Sequence, residues 1–538
     1  MTGQTQTAAR AASTESVDAI VVGAGFGGLY MVHRLREAGL TVRGIDAAGD
    51  VGGTWYWNRY PGARCDIPSL LYSYTWSQEV VDDWRWSEKY ATQPEILAYA
   101  EHVADRYDLR SAYLFDTRVT SAVFDEATNL WTVETAQGDR LTSRFCVMAT
   151  GCLSAPRDFD LPGAETFQGD TYITGLWPHD PVDFTSKRVA VIGTGSSAIQ
   201  SSPLIAEQAE HVYIFQRTPN FSLPALNAPL TDAEVAEFKA NFPIYVEMLR
   251  AGEAGIPLPP PDWVPNDAEL AELVQLLWNG GGLVSTAMIP NLTRNERINE
   301  AASDFVRSKI REIVKDPALA DKLTPRGFPI STKRACVDTD YYETFNRSNV
   351  TLVDLRDAPI EAITPTGVKT TDAEYPVDII VSALGFDAMT GALLRMDIRG
   401  RDGVSLRDAW AEGPKTYLGL AVAGFPNLFT VTGPGSPSVL ANVLIAAQQH
   451  VDWIMDAIDH VVAKGAATLE ATAEAQENWV AHVNEEADKT LFPRAASWYM
   501  GANIPGKPRV FMPYVGPDYK IQCDDIAARG YVGFALTN

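Results

Sequence analysis

Residues 18–46, DAIVVGAGFGGLYMVHRLREAGLTVRGID, decide the fold, because they read as strand, tight glycine turn, helix and second strand. Asp18 to Val22 is a short β-branched run of the kind buried in a parallel sheet. Leu29, Val32, Leu35 and Ala38 then recur at helical spacing, and Gly39 stands where a helix would stop. Between strand and helix lies Gly23-x-Gly25-x-x-Gly28. The first glycine permits the turn, the second lets backbone approach a pyrophosphate, and the third lets helix pack on strand. The helix N-terminus offers unpaired N–H groups and the positive end of its dipole. Asp46, closing the second strand, stands where a carboxylate accepts hydrogen bonds from a ribose. Together these features predict a dinucleotide site.

A second unit of the same type spans 187–217, KRVAVIGTGSSAIQSSPLIAEQAEHVYIFQR, with the cradle Gly193-x-Gly195-x-x-Ala198. Thr194, Gly195, Ser196, Ser197 and Gln200 follow as phosphate-facing candidates. At the end of its second strand stand Arg217 and Thr218, with no acid to repel a 2′-phosphate. A guanidinium there pairs with that phosphate in a bidentate manner, so NADPH is expected over NADH.

Composition narrows the class. The 538 residues are 46% hydrophobic and 21% charged, an ordinary globular balance. A formal net charge of −24 argues against nucleic-acid or anionic-membrane partners, which need a basic face. Cys65, Cys146, Cys152, Cys336 and Cys523 are scattered, without C-x-x-C or metal-ligand spacing, and the seven histidines are equally dispersed. No metal is expected, and a reducing, cytoplasmic location is. No apolar run is long enough to span a bilayer.

Seven further stretches point to one enzyme family. Gly53-Thr54-Trp55 follows the ribose acid, and the run NRYPGARCD ends at Asp66. FQGDTYITGLWP at 167–178 precedes the second cradle, and TKR stands at 332–334. GPGSPS lies at 433–438, with ASWY and GANIPGKPRVF at 496–511. With these motifs the chain resembles, over nearly its whole length, the Baeyer–Villiger flavin monooxygenases, and is most similar to their phenylacetone-oxidising group. The match to the family fingerprint F-x-G-x-x-x-H-x-x-x-W holds at Phe167, Gly169 and Trp177, but Ile173 occupies the histidine position.

The resemblance implies FAD and NADPH as cofactors, with O2 and a small ketone as substrates and a monomeric protein. In that family NADPH reduces FAD, and reduced flavin captures O2 as a C4a-peroxide. This attacks a ketone, and carbon migration yields an ester or lactone. The resemblance makes Arg334 the catalytic cation and Asp66 the acid that orients it. It puts Gly23, Gly25, Gly28, Asp46, Gly53, Thr54, Trp55, Asp66, Tyr72 and Val119 on FAD. It assigns Arg64, Lys333, Arg334 and Trp498 to NADP beside the second cradle, Lys333 sharing the 2′-phosphate with Arg217. Ser438, Val439 and Leu440 belong to a loop that narrows the ketone pocket, which favours arylalkyl or open-chain ketones, and sulfides, over large fused rings. Isoleucine cannot replace a histidine's hydrogen bonds, so coupling of NADPH oxidation to product is the property expected to suffer.

The implied architecture is α/β: two Rossmann-like dinucleotide-binding domains with a helical insertion. A disordered tail spans 1–16, the FAD domain 17–150 and 386–538, the NADP domain 151–220 and 331–385, and the insertion 221–330. Three alternatives stay open: an N- or S-oxygenating flavin monooxygenase, an uncoupled NADPH oxidase, and a non-catalytic redox-sensing flavoprotein.

Overall fold

The computed structural model describes residues 14–250, 263–437, 441–502, 504–506 and 518–538. Two sheets organise it. In the larger, strand Thr14–Val22 lies between Val42–Ile45 and Arg140–Met148 and runs parallel to both. Outward from Arg140–Met148 come Leu130–Thr135, Val119–Asp125 and Asp397–Arg399; beyond Val42–Ile45 comes the short strand Tyr113–Leu114. Leu428–Thr430 pairs with the C-terminal half of Arg140–Met148, so the C-terminal part of the chain completes the first sheet. Helix Phe26–Glu37 covers one face, burying Leu29, Met31, Val32 and Leu35, and packs against the long helix Val443–Lys464.

The smaller sheet is wholly parallel, in the order Val350–Asp354, His211–Gln216, Arg188–Ile192, Ile379–Ser382, Asp170–Ile173. Helix Ser196–Gln208 lies on one face with Ala198, Ile199 and Ile205 buried. The other face is covered by the hairpin strands Ile360–Thr364 and Gly367–Thr370 through Ile363 and Val368. Continuous Val/Ile runs in these strands fit a sheet buried on both faces.

One boundary differs from the sequence reading. Residues 14–16, placed in the tail, extend the first strand and pair with Arg140 to Thr142, while 1–13 lie outside the described residues. Within the insertion, residues 232–250 form two helices, Asp232–Ala240 and Phe242–Arg250. Pro243 explains the break, since proline is tolerated in a first turn but not within a helix. The long helix begins at Val443, because the Asn442 side chain accepts the Leu444 N–H as its cap.

Candidate active site

Both cradles open at the C-terminal ends of parallel strands. Gly23 has φ +116°, and a Cβ there would lie 2.3 Å from the Ala149 carbonyl oxygen. At Gly28 a Cβ would come within 1.9 Å of the Gly23 carbonyl oxygen, so glycine is needed for the turn to close. Gly25 is the N-cap of Phe26–Glu37 and no side chain caps that helix. Gly53, at φ +54°, packs its backbone on Gly25. The GGTW segment is therefore laid directly across the first cradle. The Asp46 carboxylate accepts the N–H groups of Ala24 (2.5 Å) and Ala48 (2.7 Å). Burial pushes this acid above its usual value, against those hydrogen bonds. Thr117 donates its N–H to the Asp46 carbonyl, which brings buried Val119 to the same edge.

Trp55 starts its own short helix with Thr54, is buried, and donates Nε1–H to the Tyr72 hydroxyl at 3.2 Å. Gln93, which carries no motif in the sequence, donates to the Trp55 carbonyl at 2.5 Å.

The second cradle repeats the logic with one difference. Gly193 has φ +122°, and a Cβ there would meet the Ala383 carbonyl oxygen at 2.4 Å. Gly195 faces open space, with nothing within 4 Å of where a Cβ would stand, and it too is an uncapped helix start. Ala198 is fully buried, which fits alanine as the third member. Thr194 donates its hydroxyl to the Thr218 carbonyl at 2.7 Å, holding the loop after the second strand over the cradle. Ser196 reaches Cys336 Sγ at 3.5 Å, and Ser197 lies against the Tyr60 phenol.

Lys333 feels the charge of Arg217. Lys333 sits 4.4 Å over the Phe328 ring, and burial followed by the Arg217 charge pushes its ammonium below the usual value. Among the described residues neither cation has a carboxylate partner.

Where the two sheets meet, Arg334 donates Nε–H and Nη2–H to the two oxygens of Asp66, at 2.7 and 2.8 Å. Burial alone would disfavour this charge. The Asp66 carboxylate outweighs it and holds the guanidinium firmly protonated. The pair is bidentate and about a fifth exposed (23% and 21%), so it is shielded but reachable. Trp498 lies in a single turn with Tyr499, ring centroids 4.4 Å apart. Gln200 ties the halves together: it accepts from the Tyr60 hydroxyl (2.9 Å) and donates to the Arg64 carbonyl (3.2 Å). Arg64 is held from the other side as well. Its guanidinium Nη1 donates to Glu88 (3.1 Å) and to the Tyr90 carbonyl (2.7 Å).

The scattered cysteines also converge, since Cys65, Cys152 and Cys336 all lie within electrostatic range of Arg334. Burial pushes Cys152 up to about 11 and Cys336 up to about 12, so both stay neutral thiols near the cation. All five cysteines are free. Among the described residues no group of His, Cys, Asp or Glu could hold a metal, and no helix is long and apolar enough to cross a membrane.

The fingerprint segment joins the sheets. Gly169 backs onto the Asp378 carbonyl, where a Cβ would stand at 2.2 Å. Phe167 packs on the hairpin face, and Trp177 donates its backbone N–H to the Trp57 carbonyl of the first half at 3.2 Å. Ile173 ends its strand in register with Ser382, on the same face of the sheet. The buried Ser382 hydroxyl has no hydrogen-bond partner. Ser438, Val439 and Leu440 lie outside the described residues.

Comparison with known proteins agrees with this geometry. Residues 17–250 match the family model described as pyridine nucleotide-disulphide oxidoreductase, a dinucleotide-binding fold. A Baeyer–Villiger monooxygenase of Pseudooceanicola batsensis is 41% identical over 523 residues, covering 96% of this chain and 95% of the relative. A phenazine N-monooxygenase of Lysobacter antibioticus is 40% identical, covering 96% and 97%. Among solved structures, an oxidised steroid monooxygenase bound to NADP superposes with a TM-score of 0.92 at 50% identity, covering 97% of this chain and 99% of that one.

Proposed function

Because the chain belongs to the Baeyer–Villiger flavin monooxygenase family, with FAD and NADPH as its cofactors, we propose that it inserts one oxygen atom of O2 beside a ketone carbonyl with Arg334 as its catalytic cation. The observation that carries this reading is the bidentate Arg334–Asp66 pair at the junction of the two dinucleotide sheets. An N- or S-oxygenating site has no need of a fixed cation there.

The residues fit both cofactors. Gly23, Gly25, Gly28, Asp46 and Gly53 would hold the FAD pyrophosphate and ribose, with Thr54, Trp55, Tyr72 and Val119 around it. Gly193, Gly195 and the serines after them would hold the NADP pyrophosphate, and Arg217 with Lys333 its 2′-phosphate. Bound FAD, once reduced by NADPH, supplies O2 activation and delivers one oxygen atom to the substrate. The chain's own task is electrostatic. Asp66 fixes the plane of the guanidinium, and Arg334 then stabilises negative charge on the ketone oxygen as its carbon is attacked. The buried aromatic shell of Trp55, Tyr72 and Tyr499 excludes water, which strengthens that interaction. Both cradles and the cation come from one chain, which supports a monomeric site. The free cysteines support a cytoplasmic setting.

The preferred substrates are arylalkyl or open-chain ketones, with sulfides accepted. A fused-ring ketone is the second reading, favoured by the 50% identity to the steroid monooxygenase. Ester formed per NADPH consumed, measured with phenylacetone, cyclohexanone and progesterone, separates the two. Ester from none of the three, with peroxide released instead, would overturn the ketone reading.

The same assay tests Ile173. Ile173→His places an imidazole beside the unpartnered Ser382 hydroxyl, so a polar group gains a partner where apolar contact now prevails. Product per NADPH is expected to rise. An unchanged or lower ratio would show that the absent histidine does not limit coupling.

A further inference from the structure

We propose that Tyr499 is a positioning residue whose phenol oxygen is an anchor of the Arg334 guanidinium additional to Asp66, and that the turn it shares with Trp498 links that anchor to the nicotinamide side of the site. This rests on the reading of Arg334 as the site's cation.

The Trp498–Met500 turn is tightly closed. Met500 and Ala502 both return their N–H groups to the Ser497 carbonyl, and Gly501 returns its own to Trp498. Tyr499 is 2% exposed, with Phe492 edge-on at 5.9 Å and Trp498 at 4.4 Å. Packing accounts for the ring but not for the oxygen. The hydroxyl is buried and completes no full hydrogen bond, although it lies close enough to Arg334 to interact with its charge. A phenylalanine would fill the same space without burying an unsatisfied polar atom, which is a costly arrangement to keep for nothing. Burial pushes the phenol up to about 12, against the pull of Arg334, so it is a neutral oxygen able to accept a guanidinium N–H.

The other charged group on this oxygen is Asp66, which already holds two guanidinium nitrogens. Rotation of Trp498 as a nicotinamide settles beside it would carry Tyr499 along, since one short turn holds both. The hydroxyl would then be brought into line with Arg334. Occupancy of the NADP site and aim of the cation become one event.

Tyr499→Phe removes only the oxygen. Its thermal midpoint is expected to match or exceed the parent's. NADP+ affinity, read from the change in flavin absorbance on titration, is expected to weaken about 10-fold, the loss of one hydrogen bond to a charged group. Anaerobic flavin reduction at saturating NADPH should stay within about 2-fold, one weak contact's worth, while ester per NADPH falls. Parent values of NADP+ affinity and coupling in Tyr499→Phe would overturn the proposal, whatever the thermal midpoint. Arg334→Lys is measured alongside. If it loses coupling while Tyr499→Phe does not, only the anchor fails; if neither loses coupling, the role of Arg334 fails with it.

Discussion

Arg334→Ala is expected to lower ester formation by about 10²–10³-fold, the usual consequence of removing a donor aimed at developing negative charge. NADPH oxidation should continue, with peroxide as the product. Two jobs are separable at this site. Hydride transfer would need the cradles and the aromatic side chains Trp55 and Trp498, which the substitution leaves intact. Stabilising the attacked carbonyl needs a permanent cation, and no other described cation sits against Asp66. Removing one member of a shielded ion pair also strands its partner, at about 3–5 kcal/mol for a fully buried pair and less here, because Asp66 is a fifth exposed. Arg334→Lys guards against mistaking instability for lost catalysis. It keeps the charge but not the two-pronged grip, so it should fold and still lose most of the product. Equal losses of flavin reduction and ester formation would mean that Arg334 serves binding alone.

The second large effect is at the first cradle. Gly23→Ala should yield a chain that purifies with little or no flavin. An L-residue at φ +116° costs about 1–3 kcal/mol, and here the methyl must also displace the Ala149 carbonyl from 2.3 Å. That carbonyl belongs to the strand whose Ala149 N–H pairs with Val22 (2.9 Å), so relief moves the sheet rather than a side chain. FAD affinity should fall at least about 30-fold, the equivalent of about 2 kcal/mol. Gly195→Ala is the contrast. Its φ of −88° suits any residue and its surroundings are open, so fold and FAD content should survive while the apparent KM for NADPH rises. Full flavin content in Gly23→Ala would contradict the assignment of this turn.

The contrast shows what the sequence makes legible. Each cradle is written in contiguous residues, so strand, glycine spacing, helix and terminal acid are read together. The position of Arg217 directly after the strand that ends the second unit is legible for the same reason. Contacts between distant segments are not. Asp66 and Arg334 are 268 residues apart, and only resemblance to a family pairs them. Nothing local shows that Leu428–Thr430 slips beside Arg140–Met148, or that Gly53 rests on Gly25. Nor does anything local show that Glu88, 24 positions on, pairs with Arg64. Tyr499 is hidden behind its neighbour Trp498. The doublet of aromatics is a signal, but burial of a hydroxyl is a property of the fold. Ile173 is visible as a departure, whereas its meaning depends on Ser382, more than two hundred residues later and one strand away.

The most direct test of the central claim is a single turnover under ¹⁸O2: the protein is reduced anaerobically with NADPH, then mixed with labelled oxygen and phenylacetone. The predicted product is an ester carrying one ¹⁸O per molecule, formed in the parent and nearly absent in Arg334→Ala. Unlabelled ester, or labelled peroxide with no ester from either protein, would contradict it.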